Sequence, residues 1–236
     1  WSSCATSSVL ASWTLPHTSA HEHDTKHVPL GSCASTVVVM TDLDSKPDRI
    51  RDTAMRLLAE RGAAGVSLRN IADQAGVSLG LLQHLFHTKA ELIAAIDDHV
   101  LSVLVHALFI TPTEHDSASP IEDLGRQVRR LITEHSDVMN YVARTLVDES
   151  PAGAAIFDRL VEMGTQRWTQ YAQHGLTPDD LDITWAAINP ILLCVGAITM
   201  RSHVDRHLPQ PWNTPAQIQR WEDSVNRLIR SGNFRA

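Results

Sequence analysis

The chain has 236 residues, of which 43% are hydrophobic and 20% are charged, so it is long enough to bury a core and too apolar to be disordered throughout. Its formal net charge is −7, yet residues 46–89 carry seven Lys or Arg against four Asp or Glu. Positive charge is therefore concentrated in one segment, where phosphates could be contacted. No apolar run reaches the roughly 18 residues that a membrane span requires, so we expect no membrane segment.

The first 45 residues differ from the rest of the chain. They are rich in Ser, Thr, His and Ala without helical periodicity, which predicts a tail that is disordered or not native to the working protein, with Met40 as a candidate start. His21–Asp24 and His27 could hold a metal loosely, but nothing rigid fixes that geometry, so a polar tail is favoured. Cysteines without CxxC or CxxxH spacing argue for a reducing cytoplasm and against a zinc site: Cys4, Cys33 and Cys194.

The next segment is predicted to form an amphipathic helix that begins near Ser45 and Pro47 and stops at Gly62. Its apolar stripe is Ile50, Ala54, Leu57 and Leu58. Ser67 is then a good N-cap for a second helix. The apolar positions of that helix recur at helical spacing, at Leu68, Ile71, Ala72 and Ala75.

A sharp turn follows at Gly76, which tolerates the positive φ that such a turn requires. Ser78 can cap a short third helix over about residues 79–85, whose inward side is Leu82 and Phe86. Two short helices joined by a tight glycine turn form the helix-turn-helix pattern, whose second helix enters the DNA major groove. An ordinary helical hairpin is the alternative, and the flanking sequence argues against it.

Downstream, Thr88 and Glu91 form a capping box that opens a fourth helix, from Lys89 to about Phe109. From about Pro47 to Leu104, these segments closely resemble the DNA-binding domain of TetR-type (TetR/AcrR) transcriptional regulators. The resemblance implies an all-α fold. A three-helix helix-turn-helix domain over residues 46–108 would be joined by the long helix to a larger helical effector-binding and dimerisation domain over residues 119–236.

The resemblance also implies which residues face DNA. Such proteins usually carry Tyr where this chain has Gln83, and an aromatic residue or His where it has Leu85, so backbone contacts are expected to be rearranged. Gln83 could pair bidentately with adenine, Arg69 could touch the backbone or a groove edge, and Lys89 could grip a phosphate. The predicted DNA-binding set is Ser67, Arg69, Ser78, Leu79, Gly80, Leu81, Gln83, His84 and Lys89.

The rest of the chain repeats one helix-start signal, Ser or Thr followed by Pro, after a polar loop at residues 111–118 that is the expected domain boundary. The predicted helices span about residues 120–133, 136–148, 151–174, 178–207 and 215–231. The run 191–198 is apolar all round and should be buried on several sides. By resemblance, the last two helices form the interface of a homodimer, although packing within one chain explains their periodicity nearly as well.

An effector pocket is expected, by resemblance, between the central helices of the second domain. Polar or aromatic residues within apolar stretches are its candidates, although any one of them could instead be core filler. The candidates are Asn140, Arg144, Trp168, Tyr171, Trp185 and Asn189.

No catalytic, metal or cofactor signature stands out. His203 and His207 share a helical face, and His99 and His106 lie two turns apart, but no third ligand is evident and solvated histidines are favoured. No GxSxG, HExxH, Walker A or GxGxxG string occurs, so we expect no enzyme, no catalytic residue and no cofactor.

The sequence therefore predicts a cytoplasmic, homodimeric transcriptional regulator that binds a palindromic double-stranded DNA operator. By resemblance it is more often a repressor than an activator, and it responds to an unidentified small-molecule effector. The rival hypothesis is a helical ligand-binding or interaction module whose helix-turn-helix no longer reads DNA, motivated by Gln83, Leu85 and the acidic total. The salt dependence of binding to random duplex would separate the two.

Overall fold

The computed structural model describes residues 34–110 and 120–234. Within these ranges the chain is helical and holds no strand, which confirms the predicted all-α fold. The α-helices are α1 (Ala34–Arg61), α2 (Leu68–Ala75), α3 (Leu79–Leu85), α4 (Lys89–Val105), α5 (Pro120–Glu134), α6 (Ser136–Val147), α7 (Pro151–Gln173), α8 (Ile183–Thr199), α9 (Arg201–Val204) and α10 (Pro215–Asn233). A π-helical turn, His106–Ile110, extends α4, and a 3-10 turn, Asp205–His207, extends α9.

A few fully buried side chains hold the first four helices together. Ile50 of α1, Ile71 of α2, Leu82 of α3 and Leu92 of α4 are each 0% exposed. Burying an aliphatic side chain of this size contributes about 1.5–3 kcal/mol. The turn between α2 and α3 is the predicted one, because Gly76 adopts a φ of 65° and its N–H bonds back onto α2. These four helices therefore pack around a shared core.

The first helix begins earlier than the sequence predicts. It starts at Ala34 rather than near Ser45, so Pro47 lies inside α1 and not in its first turn, and the part of the expected disordered tail from Ala34 onward is helical. The physical reason is that residues 34–46 contain no Gly or Pro to end a helix, while one internal Pro removes only one backbone hydrogen bond. The expectations for residues 1–33, and for the boundary loop at 111–118, lie outside the described residues.

Most of the later helices lie within two residues of their predicted bounds, with one exception. The helix predicted over 178–207 starts at Ile183, because Asp182 and not Thr177 caps it, the carboxylate accepting the Trp185 N–H at 3.1 Å. It also stops at Thr199, and the chain bends by 69° into Arg201–His207. Past this bend, Asp205 accepts the Trp212 N–H at 2.6 Å, which turns the chain back toward α10.

Helix α6 joins the N-terminal helices to the rest of the molecule. The Tyr141 hydroxyl donates to Asp97 Oδ1 of α4 at 2.7 Å, and burial raises the pKa of both groups. Arg144 bonds Asp148 at 2.8 Å and lies over Gly62, where an added Cβ would come within 2.7 Å of the guanidinium. The larger hydrophobic cluster runs from α1 into α10, and a smaller cluster around Trp168 lies apart from it.

No single helix of the described ranges is long and apolar enough to cross a membrane. One bent pair, Ile183–Thr199 with Arg201–His207, meets the length and composition criterion when its two parts are taken together.

Candidate nucleic-acid interface and effector cavity

The outer face of α3 is presented to solvent on a buried anchor. Leu82 packs into the core with 0% exposure, whereas Gln83 and His84 beside it are exposed. Leu79 and Leu81 are half-buried. At Gly80 an added Cβ would meet nothing within 4 Å, so another molecule could approach the backbone closely there. The predicted recognition surface is therefore accessible and held on a fixed frame.

Both serines of the predicted DNA-binding set cap helices. Ser78 Oγ accepts the Leu81 N–H at 3.1 Å. Ser67 Oγ accepts the Asn70 N–H at 3.2 Å, and the Asn70 side-chain oxygen Oδ1 accepts the Ser67 N–H at 3.3 Å, a reciprocal capping box. These hydroxyls fix the N-termini of α2 and α3 at the surface of the unit.

The two predicted phosphate-binding cations are placed differently. Arg69 is exposed at the start of α2, and no ion pair holds it within the part of the chain that the structure describes. Lys89 instead donates from Nζ to the backbone carbonyls of Ala63 and Val66, the latter at 2.5 Å. Lys89 thereby ties the N-terminus of α4 to the loop between α1 and α2, with two of its three donors used.

The predicted capping box of α4 forms with one changed partner. Thr88 Oγ1 accepts the Glu91 N–H at 3.1 Å, as expected. The Glu91 carboxylate accepts the backbone N–H of His87 at 3.2 Å and lies 3.1 Å from His87 Nδ1, so it caps one residue earlier than predicted. Leu85, at the other unusual position, is partly buried against the core.

A cavity of about 130 Å³ lies inside the second domain. Its wall is mostly apolar and is built by the end of α4, its π-helical turn and helices α5, α6, α7, α8 and α10. Of the six predicted effector residues, only Trp168 lines it. Tyr171 packs against Trp168 in an edge-to-face contact with 5.5 Å between ring centroids, outside the cavity wall.

The other predicted effector residues lie elsewhere. Asn140 accepts a hydrogen bond from Arg201 at 3.0 Å, in a polar cleft beside α1 that Arg144 also lines. Trp185 is 56% exposed and Asn189 is exposed, both on α8. The six residues are therefore divided among three separate places. Their role in effector binding stays a prediction.

The polar groups of the cavity wall are ones that the sequence did not single out. Arg167 Nη2 donates to the Leu108 carbonyl oxygen at 2.5 Å, and burial lowers the pKa of this guanidinium. Arg129 Nε lies 2.7 Å from Glu222 Oε2, and burial raises the pKa of this carboxyl although Arg129 opposes the rise. Helical spacing could have indicated them, because the residues of α7 that line the cavity recur every three or four positions: Leu160, Met163, Gly164, Arg167 and Trp168.

A second surface feature is an exposed apolar stripe on α8. In the single chain the run 191–198 is not buried on several sides, so that prediction is wrong. Leu192 is 51% exposed and Leu193 is 39% exposed. Trp185, Leu192 and Leu193 fall on one helical face with the exposed Met200 beyond them. Leu228 of α10 is 60% exposed as well. Such a stripe suits contact with another apolar surface.

No metal-binding constellation is found in residues 34–110 and 120–234, where no group of three or more His, Cys, Asp or Glu could hold an ion. His203 is exposed and its Nδ1 lies 2.9 Å from Arg206 Nη2. His99 is half-buried, and burial with the nearby Arg51 lowers its pKa. The histidine pairs thus lack a third ligand in the described ranges.

Comparison with known proteins agrees with this geometry. Residues 50–96 match the model for bacterial regulatory proteins of the tetR family. The chain is 45% identical over 53 residues to the HTH-type transcriptional regulator PksA of Bacillus subtilis strain 168, covering 22% of this chain and 26% of PksA. It is 35% identical over 104 residues to the HTH-type transcriptional repressor Rv3405c of Mycobacterium tuberculosis strain H37Rv, covering 44% of this chain and 48% of that protein. The chain therefore spans about a quarter to a half of the length of these relatives.

Most of the described fold is also similar to that of a solved structure. The crystal structure of AibR in complex with isovaleryl coenzyme A and operator DNA matches with a TM-score of 0.58 over 78% of this chain and 97% of that chain, at 20% identity. At that identity the likeness concerns the fold.

These observations define a helix-turn-helix protein with a second, helical domain. Residues 50–96 match the model for bacterial regulatory proteins of the tetR family, which confirms the resemblance predicted from the helix-turn-helix and its flanks.

Proposed function

We propose that the chain is a sequence-specific DNA-binding transcriptional regulator of the cytoplasm, without enzymatic activity. The observation that carries this proposal is the outer face of α3, where Gln83 and His84 stand exposed beside the buried anchor Leu82. A helix presented in this way fits the major groove, and Gln83 has the donor and acceptor that adenine requires. Relatives named as a transcriptional regulator and a repressor support this function over a module that no longer reads DNA.

The phosphate contacts would come from the edges of the same surface. Arg69 is exposed next to the capped start of α2, where a guanidinium can reach the DNA backbone. Lys89 keeps one donor beyond its two bonds to loop carbonyls, and it stands at the N-terminus of α4, which favours anions. Ser67 and Ser78 would act by holding helix ends in register rather than as the main contacts.

A homodimer would present two such surfaces to a palindromic operator. The exposed stripe on α8, with Leu192 and Leu193 at its centre, and Leu228 of α10 supply apolar surface for a second copy of the chain. Dimers of helix-turn-helix proteins read half-sites about 34 Å or a multiple apart. A small molecule in the cavity would shift the balance between two arrangements of the two DNA-binding surfaces. The AibR complex with isovaleryl coenzyme A and operator DNA supports such an effector, and the relative named as a repressor supports a repressor role.

The test is selection of binding sites from a random duplex pool with the full chain. We expect enrichment of a palindrome. An Arg69→Ala, Gln83→Ala double variant should lose it, while Arg159→Ala, at an exposed position of α7, should retain it. The single variant Arg69→Ala should also lower the slope of log affinity against log salt by about 0.9, the value for one phosphate. A folded chain that enriches nothing at low salt would rule the regulator out.

A further inference from the structure

The cavity of the second domain is enclosed by apolar side chains that solvent barely reaches. Ile121, Val142 and Trp168 of its wall are each no more than 2% exposed. Its volume of about 130 Å³ compares with the engineered apolar cavity of about 150 Å³ in another protein that admits benzene. The space therefore suits a single ring or a short aliphatic chain.

Of the described residues that line this cavity, two carry a charge, and other groups of the protein already engage both. Arg167 donates to the Leu108 carbonyl oxygen, takes part in a further interaction and is acted on by the charge of Asp123. Glu222 forms an ion pair with Arg129 at 2.7 Å. A charged ligand would have to displace one of these contacts or enter the apolar volume without a partner, which is costly.

The charged groups linked to the wall also balance. Arg126 forms an ion pair with Asp123, and the charge of Asp223 acts on Glu222 in the opposite sense to that of Arg129. The groups of the described ranges that these interactions connect are three arginines and three carboxylates: Arg126, Arg129, Arg167, Asp123, Glu222 and Asp223. This set therefore offers a ligand no excess charge of either sign.

An uncharged polar group also lines the cavity, the side-chain amide of Asn226 on α10. It packs over Gly125 of α5, where an added Cβ would come within 2.5 Å of Nδ2 and 2.6 Å of Oδ1. Within residues 34–110 and 120–234 this amide has no hydrogen-bond partner. Because an amide both donates and accepts, it can bond to a hydroxyl or a carbonyl group with no charge on either side.

We propose that this cavity binds an uncharged, mainly apolar molecule, whose one hydroxyl or carbonyl group forms a hydrogen bond with the Asn226 amide. The apolar part of the molecule lies between α5, α7 and α10, and the ion pair of Glu222 with Arg129 stays in place. Binding of this molecule stands independently of any DNA. Only its role as an effector rests on the proposed function.

The first experiment measures binding to the full chain by titration calorimetry near neutral pH, with two series of matched size. One series is benzyl alcohol, benzoate and benzylamine, and the other is hexan-1-ol, hexanoate and hexylamine. In at least one series we expect the alcohol to bind 10-fold or more tightly than both charged members, because a charge loses its hydration in the cavity without gaining a partner. A smaller preference in both series, or no binding of either alcohol, would overturn the proposal.

Variants then assign the hydrogen bond to Asn226. Asn226→Leu keeps the approximate size of the side chain and removes its donor and acceptor. The affinity of the preferred alcohol relative to its hydrocarbon, toluene or hexane, should then fall about 3- to 10-fold. Asn213→Leu, at an exposed position outside the cavity wall, is the matched control and should leave this ratio unchanged.

The ratio of the two affinities keeps the test valid when a variant is less stable. If Asn226→Leu fails to fold, Asn226→Ala also removes the amide and should lower the same ratio. A ratio equal to that of the parent chain, in whichever of the two variants folds, contradicts the contact with Asn226.

This inference and the proposed function can fail separately. Loss of DNA binding in every condition, with the alcohol still bound more tightly than the charged members, would refute the regulator and leave the cavity site intact. A palindrome selected by a chain that shows no preference for either alcohol would retain the regulator and refute the uncharged ligand.

Discussion

The two ends of the molecule manage polar groups in opposite ways. In α2 and α3 the buried side chains are apolar, and polar groups either cap a neighbouring N–H, as Ser67 and Ser78 do, or point into solvent. Around the cavity, Arg167 and Glu222 stand in an apolar wall, where Arg167 donates to the Leu108 carbonyl oxygen and Glu222 forms an ion pair with Arg129. Polar groups on an exposed surface can bond to water or to another molecule. Polar groups in an enclosed wall need partners within the protein or on a bound ligand.

The sharpest way to break this comparison is to remove the anchor of the exposed face. Leu82→Ala deletes a side chain that is 0% exposed, so it should lower the free energy of unfolding by about 2–5 kcal/mol. Gln83→Ala, the adjacent exposed position, should change stability by less than about 0.5 kcal/mol while it weakens operator binding. Chemical denaturation of both variants measures this difference. Equal losses of stability would show that the exposed face of α3 contributes to folding as much as its buried anchor does.

Two glycines of the N-terminal unit should respond with opposite signs. Gly76→Ala forces a side chain to a φ of 65°, so it should cost about 1 kcal/mol although its Cβ would meet nothing within 4 Å. Gly80→Ala, inside α3 and equally open, should gain about 0.5–1 kcal/mol and impair DNA binding if the backbone there approaches DNA. Thermal unfolding measures both, and a stabilising Gly76→Ala would contradict the turn.

The cap of α3 is a smaller test of the same frame. Ser78→Ala removes the acceptor for the Leu81 N–H and should cost about 1 kcal/mol. Ser102→Ala, at an exposed position within α4, is the matched control and should be neutral or slightly stabilising. Urea unfolding of the pair is the measurement, and a Ser78→Ala chain as stable as the control would mean that the cap contributes nothing.

The buried carboxyl of Glu222 in the cavity wall should make the free energy of unfolding depend on pH. Burial holds the pKa of Glu222 above its ordinary value of 4.5, so the folded chain binds this proton more tightly than the unfolded chain does. The contribution of this group is therefore most favourable below pH 4.5 and declines as the pH rises through the raised pKa. As the pH rises from 4.5 to 7, the free energy of unfolding of the Glu222→Gln variant should fall less than that of the parent chain, as measured by urea unfolding. A larger fall in the variant would contradict the raised pKa of Glu222.

How much the sequence could predict follows from how local each determinant is. The caps at Ser67, Ser78 and Thr88 and the turn at Gly76 depend on a few neighbouring residues, and all four are where the sequence places them. The start of α8 depends on a competition that spacing could not decide, because both Thr177 and Asp182 are good N-caps.

The cavity wall was harder to predict because it depends on which face of each helix turns inward. Helix α8 is apolar nearly all round, so its pattern did not reveal that Trp185 and Asn189 face away from the cavity. The sequence alone does not indicate Arg167, because a charge among apolar positions is normally an exposed residue. Only the packing of α7 against the π-helical turn after α4 shows its carbonyl partner.

The close fit of Arg144 over Gly62 constrains how this protein could be recombined with its relatives. Because an added Cβ at Gly62 would come within 2.7 Å of that guanidinium, the end of α1 and helix α6 form a matched pair across the junction. A chimaera whose N-terminal domain carries a larger residue at this position would place it at a φ of 70°, which strains any side chain, and would also make the Arg144 guanidinium move. Chimaeras designed to change the DNA sequence that is bound should therefore exchange only α2 and α3, and keep Gly62 together with Arg144.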